Sequence, residues 1–73
     1  MIERWEITVW WFTEDGDGVK KYKVLGNDPL QALARLFDKH PTGSGVRTCY
    51  GEVVPMATRV NIQKLWEDVE EIE

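Results

Sequence analysis

The chain holds one histidine, one cysteine and one serine: His40, Cys49 and Ser44. Nucleophilic catalysis needs a nucleophile, a base and a group that orients the base. Ser44 has no evident base. Cys49 stands between Thr48 and Tyr50 in an apparent strand, with only Arg47 as a nearby cation. A reactive thiol needs an electropositive, accessible setting, so Cys49 is expected to be a small buried core residue. His40 precedes Pro41 at a predicted helix end, where a cation complements the helix dipole. The paired carboxylates of "EDVEEIE" read as a solvated face rather than as an acid–base pair. "EDGDG" has the look of a calcium loop. Placing Asp15 and Asp17 as its third and fifth ligands puts Thr13 first and Val24 twelfth, where carboxylates are required. The stretch is read as a hairpin turn with Gly16 and Gly18 at positive φ. One cysteine and one histidine do not build a structural zinc site. The expectation is a protein without catalytic residues, metal or cofactor.

Two stretches could bind without catalysis. "HPTGSG" (40–45) with Arg47 is glycine-rich and could present backbone N–H groups to an anion. It leaves a helix and enters a strand, whereas a Walker loop leads into a helix. A plain helix-to-strand connection therefore competes with a nucleotide contact through Gly43, Ser44, Gly45 and Arg47. The acidic end offers Glu67, Asp68, Glu70, Glu71 and Glu73, which could imitate the phosphates of a nucleic acid.

The elements that must position these residues belong to a chain of 73 residues, enough for one domain. A chain of this size buries only about 60% of its unfolded surface, so aromatic packing or self-association must help. The formal net charge is −4, a poor basis for direct binding to nucleic acid or to an anionic membrane. No apolar run approaches the ~20 residues of a membrane span, and the start has no signal-peptide pattern. A single cysteine suits a reducing compartment. The expected location is the cytoplasm.

Residues 4–13 alternate, with Trp5, Ile7, Val9 and Trp11 on one face and Arg4, Glu6, Thr8, Trp10 and Phe12 on the other. After a turn at 15–18, residues 19–25 return. The pattern predicts Glu14 opposite Val19, Trp11 opposite Tyr22 and Val9 opposite Val24. Asp28 as N-cap, Pro29 at the first helical position and Gln31 three residues on open a helix. It ends near Lys39, before Pro41. Its apolar stripe is Leu30, Leu33, Ala34 and Phe37, with Leu36 at the edge. Residues 46–54 read as a third strand and 55–58 as a turn. The remainder alternates between two readings. Ile62, Leu65, Trp66, Val69 and Ile72 share a helical face, which favours a helix, while Val60 and Ile62 also suit a fourth strand running to about Trp66. The expected fold is a small two-layer α+β domain: antiparallel hairpin, helix, third strand, then a C-terminal helix or a fourth strand.

Trp10 and Trp11 are adjacent, so in a strand they face opposite ways. Trp11 is assigned to the core with Val9 and Tyr22. Trp10 and Phe12 then share the outer face with Lys21, Lys23 and Leu25. The lysine stems could cover the rings. Alternatively, these five residues form a charge-rimmed apolar patch that binds a partner. The C-terminal segment folding over this face is the third reading.

The tryptophan-rich "ITVWWF", the small size and the hairpin-then-helix order with "HPTGSG" resemble the small acidic accessory proteins of actinobacterial bacteriophages. The resemblance implies a viral protein that inhibits a host or defence protein, acting in the host cytoplasm. Residues and resemblance together lead us to expect a non-enzymatic protein that binds, and inhibits, another macromolecule. The alternatives are a homo-oligomer holding an anionic nucleotide through the 42–47 loop, and a nucleic-acid mimic using the acidic C-terminus.

Overall fold

The computed structural model describes residues 2–65. The expected mimic surface of Glu67, Asp68, Glu70, Glu71 and Glu73, and the helix expected beyond Leu65, lie outside the described residues. Three strands and one helix follow in the order β1 (Glu3–Thr13), β2 (Gly16–Gly26), α1 (Pro29–Lys39) and β3 (Met56–Lys64). The strands form an antiparallel sheet in the order β2-β1-β3, and α1 packs on one face of it. This is the small α+β domain expected.

The central strand is the one with the cleanest alternation. Ile7 and Val9 are fully buried beneath Ala32 and Leu36 of α1, with Trp5, Trp11, Tyr22, Val24, Leu33, Phe37, Val60 and Ile62 packed around them. The opposite face of the sheet carries no helix among the described residues. The face assignment of Trp10 and Trp11 therefore holds: the Trp11 ring meets Phe37 edge-on, with centroids 6.2 Å apart.

The hairpin register differs from the one expected. The turn is Glu14–Asp15, and Val19 lies opposite Trp10 rather than Glu14, a slide of four positions. Tyr22 opposes Ile7 and Val24 opposes Trp5. An even slide leaves every side chain on its face, which is why the faces were legible while the pairs were not. The tight turn is held by Thr13, whose hydroxyl donates to the carbonyl of Gly16 (2.8 Å) and accepts from the N–H of Asp15 (3.2 Å). Gly16 takes φ +151, whereas Gly18, expected at positive φ, does not. Gly18 instead sits opposite Trp11 in the ladder, with open space where a Cβ would stand.

The helix starts and stops as predicted. The carboxylate of Asp28 accepts from the N–H of Gln31 (2.8 Å), and the Gln31 side chain accepts from the N–H of Asn27 (2.6 Å). Its buried face is rotated from the one expected. Ala32 and Leu36 are buried, while Leu30 is 77% exposed and Ala34 is also exposed. Leu30, in the first turn, remains in solvent rather than on the sheet, so the contact face centres on Leu36.

The third strand is built from different residues. The stretch 46–54 is not a strand. It folds back around a turn in which Thr48 and Glu52 pair (2.8 Å), the Thr48 hydroxyl accepts from the N–H groups of Tyr50 and Glu52, and Gly51 has φ +85. Residues 56–64, expected as a turn followed by a helix or a fourth strand, form β3. The strand reading of Val60 and Ile62 is the one realised. They lie opposite Val9 and Ile7 on the core face. Pairing here satisfies the second edge of β1, whose backbone groups would otherwise be unpaired. That gain outweighs the helical periodicity of the segment. A bulge between Trp10 and Trp11 leaves Thr58 unpaired in the ladder, and its hydroxyl donates to the Trp10 carbonyl (3.0 Å).

Candidate functional site

The open sheet face is the candidate site. Along β1 it carries Arg4, Glu6, the buried Thr8, Trp10 and Phe12. Across the two ladders Trp10 is flanked by Val19 and Arg59, and Phe12 by Asp17 and Met56. Val19 is 56% exposed and Trp10 is half-buried. The Arg59 guanidinium lies over the Trp10 ring, 4.6 Å from its centroid. This cation–π contact covers part of the indole, where one of the three sequence readings places the stems of Lys21 and Lys23.

The five residues expected to form a patch are not together. Lys21 opposes Thr8, Lys23 opposes Glu6, and Leu25 opposes Arg4. Six residues of strand separate Leu25 from the level of Trp10, about 20 Å at 3.3 Å per residue. Leu25 belongs to the other end of the sheet. Val19, Met56 and Arg59 take its place beside Trp10. The slide in the hairpin hid Val19, and Arg59 and Met56 were hidden because their segment read as helix and turn. The alternation of Val60 and Ile62 was the signal that could have located Arg59.

Phe12 is also not free. Gly45 is buried at φ +78, and a Cβ there would stand 2.7 Å from both the Phe12 ring and the Phe12 carbonyl oxygen. The 43–45 segment is thus laid across the end of β1. Its N–H groups are directed inward: Gly43 donates to Pro55 (2.7 Å) and Gly45 to Val54 (2.8 Å). The Ser44 hydroxyl accepts from the N–H of Val46 (3.3 Å). Arg47 reaches the hairpin turn, with Nη2 2.6 Å from Asp15, Nε 3.6 Å from Glu14, and its backbone N–H on Glu14 (3.1 Å). Gly43, Ser44, Gly45 and Arg47, the expected anion contacts, lie in the one loop that crosses to the hairpin end. However, the anion that Arg47 holds is the protein's own, and a nucleotide would have to displace two carboxylates.

The reactive residues are dispersed in role. His40 caps α1, and its ring lies against Tyr22 with centroids 5.0 Å apart. Cys49 is exposed in the 48–51 turn, not buried in a strand. Its expected core role fails because the strand that would have buried it does not form. Among the described residues no three His, Cys, Asp or Glu side chains converge to hold a metal ion. No described helix is long and apolar enough to cross a membrane.

Comparison of the chain with known protein families, with curated proteins and with solved structures finds no match. The open face has to be interpreted from its own chemistry.

Proposed function

We propose that the chain is a non-enzymatic binding protein whose open sheet face, centred on Trp10, docks onto another protein. The observation that supports this reading is the pairing of Trp10 with a Val19 left 56% exposed, on a sheet face that no described helix covers. A half-buried tryptophan beside an arginine is the residue set most enriched at energetic centres of interfaces. Arg59 holds the indole in one orientation, so little side-chain entropy remains to be lost on binding. Inhibition follows where the docked face covers a working surface of the partner, in keeping with the phage accessory proteins that the sequence resembles.

The test replaces Trp10 with Thr and Val19 with Lys, both suited to an exposed strand. Phe12 is left alone because it supports Gly45. The unaltered chain should retain a protein partner from host lysate or self-associate in sedimentation, and the double variant should lose that complex while its circular dichroism remains folded. A complex that survives the substitution, or a chain that stays monomeric and captures nothing, overturns the proposal.

A further inference from the structure

We infer that the cavity at the C-terminal end of α1 is a binding site for a small organic anion that joins an aromatic body to a carboxylate. It lies on the helix-covered side of the sheet, opposite the Trp10 surface, and does not rest on the reading of that surface.

The helix ends with His40 against Tyr22, while the hairpin runs on toward Gly18. The cavity left between them measures about 520 Å³, within the range of about 300–1,000 Å³ for small-molecule sites. Its floor is aromatic. Trp11 and Tyr22 are half-buried, and the 3.0 Å bond from the indole N–H to the Tyr22 oxygen ties the two rings together. The phenol accepts in that bond, so its own proton is left for a ligand. The walls are Pro41, Val53, Val54 and Pro55. They are set before any ligand arrives. Gly43 donates to the Pro55 carbonyl at 2.7 Å and Gly45 to that of Val54 at 2.8 Å, and a Cβ on Gly43 would stand 2.6 Å from the Cβ of Val54. A preformed apolar site has little ordering to supply on binding.

Gly18 keeps the cavity open. It lies opposite Trp11, on the same side of β2 as Lys20 and Tyr22. Its φ is not positive, so the backbone does not demand glycine, and nothing stands within 4 Å of where a Cβ would be.

Charge selects the ligand. Lys20 pairs with Val9, so its side chain leaves the sheet on the α1 side, whereas Lys21 and Lys23 leave on the other. Lys39 follows the buried Leu36 by three residues and the buried Ala32 by seven, which places it on the helix face turned to the sheet. Both lysines line the cavity together with His40, and no described Asp or Glu does. Neither lysine forms an ion pair with a described residue. Cations from two elements beside one aromatic floor are complementary to a carboxylate carried on a ring. Nucleotides fit less well, because walls of proline and valine leave ribose hydroxyls and base edges without partners.

The probes are cinnamate and cinnamyl alcohol, which share a ring and differ in charge. Each is titrated into the full chain and followed by amide and indole N–H chemical shifts. Cinnamate should shift the Trp11 indole and the backbone N–H groups of Val53 and Val54 saturably and leave the Trp10 indole unmoved. It should bind at least about fivefold more tightly than the alcohol, the scale of two exposed ion pairs, and salt should narrow the difference. Lys20→Gln and Lys39→Gln should each weaken cinnamate about two- to threefold and leave the alcohol unchanged, while Lys21→Gln should change neither. Gly18→Val, which suits a strand and fills the vacant position, should abolish binding of both while the circular dichroism stays folded. An absence of saturable shifts, equal affinity for acid and alcohol, equal loss with Lys21→Gln, binding retained in Gly18→Val, or displacement of cinnamate by equimolar adenosine monophosphate would each overturn the inference.

Discussion

The indole N–H of Trp11 donates to the hydroxyl of Tyr22 at 3.0 Å, although the two residues are not cross-strand partners. Trp11 faces Gly18, and Tyr22 faces Ile7. The indole reaches along the ladder to the phenol. One polar contact thus fixes the ring that closes the core at the hairpin end. Trp11→Ala should destabilise the chain by about 3 kcal/mol, at the lower end for aromatic core truncations because the ring is only partly buried. Tyr22→Phe should cost about 1 kcal/mol. In a double-mutant cycle with Trp11→Phe the two losses should fall short of additivity. Urea denaturation measures all three, and strict additivity would mean that the bond contributes nothing.

The loop that crosses β1 depends on a position open only to glycine. Gly45→Ala places a side chain at φ +78 and drives its Cβ into the Phe12 carbonyl oxygen. The left-handed conformation costs about 1–2 kcal/mol, and the contact with backbone adds to it. A loss of about 2–3 kcal/mol in chemical denaturation is expected. A loss below 1 kcal/mol would show that the 43–45 segment does not bear on Phe12.

Arg47 fastens the same loop to the hairpin turn through exposed carboxylates. Its side chain is 48% exposed and that of Asp15 63%, so Arg47→Ala should lower stability by no more than about 1 kcal/mol, and less as salt is added. Because Glu14 and Asp15 already occupy the guanidinium, phosphate and mono-, di- and cyclic nucleotides should leave the melting temperature where matched ionic strength puts it. A nucleotide-specific rise that Arg47→Ala removes would restore the anion site.

Cys49 lies exposed in the 48–51 turn. In the native chain its thiol should react with an aromatic disulfide reagent within about tenfold of its rate in denaturant, without global unfolding. Burial, as the sequence suggested, would instead slow the reaction by the unfolding equilibrium, at least a thousandfold for a domain of ordinary stability.

By itself, the sequence determined the features that depend on residues close in the chain. Alternation in 4–13 assigned Trp11 to the core and Trp10 to the outside. Asp28, Pro29, Gln31 and Pro41 marked the ends of the helix. These are short-range effects of backbone sterics, capping and side-chain period, and nothing distant overrides them. The tertiary structure decided which segments pair. Sliding β2 by four residues conserves its faces, so local pattern could not distinguish the two registers. Residues 46–54 had the composition of a strand, and 56–64 had part of the period of a helix. The single free edge of β1 went to 56–64, because Val60 and Ile62 cover Val9 and Ile7 there while Thr48 and Gly51 close 46–54 into a turn. Arg59 came to rest on Trp10 for the same reason. The composition of the site followed from a choice of strand partner, a long-range contact for which the local sequence held only the alternation of Val60 and Ile62.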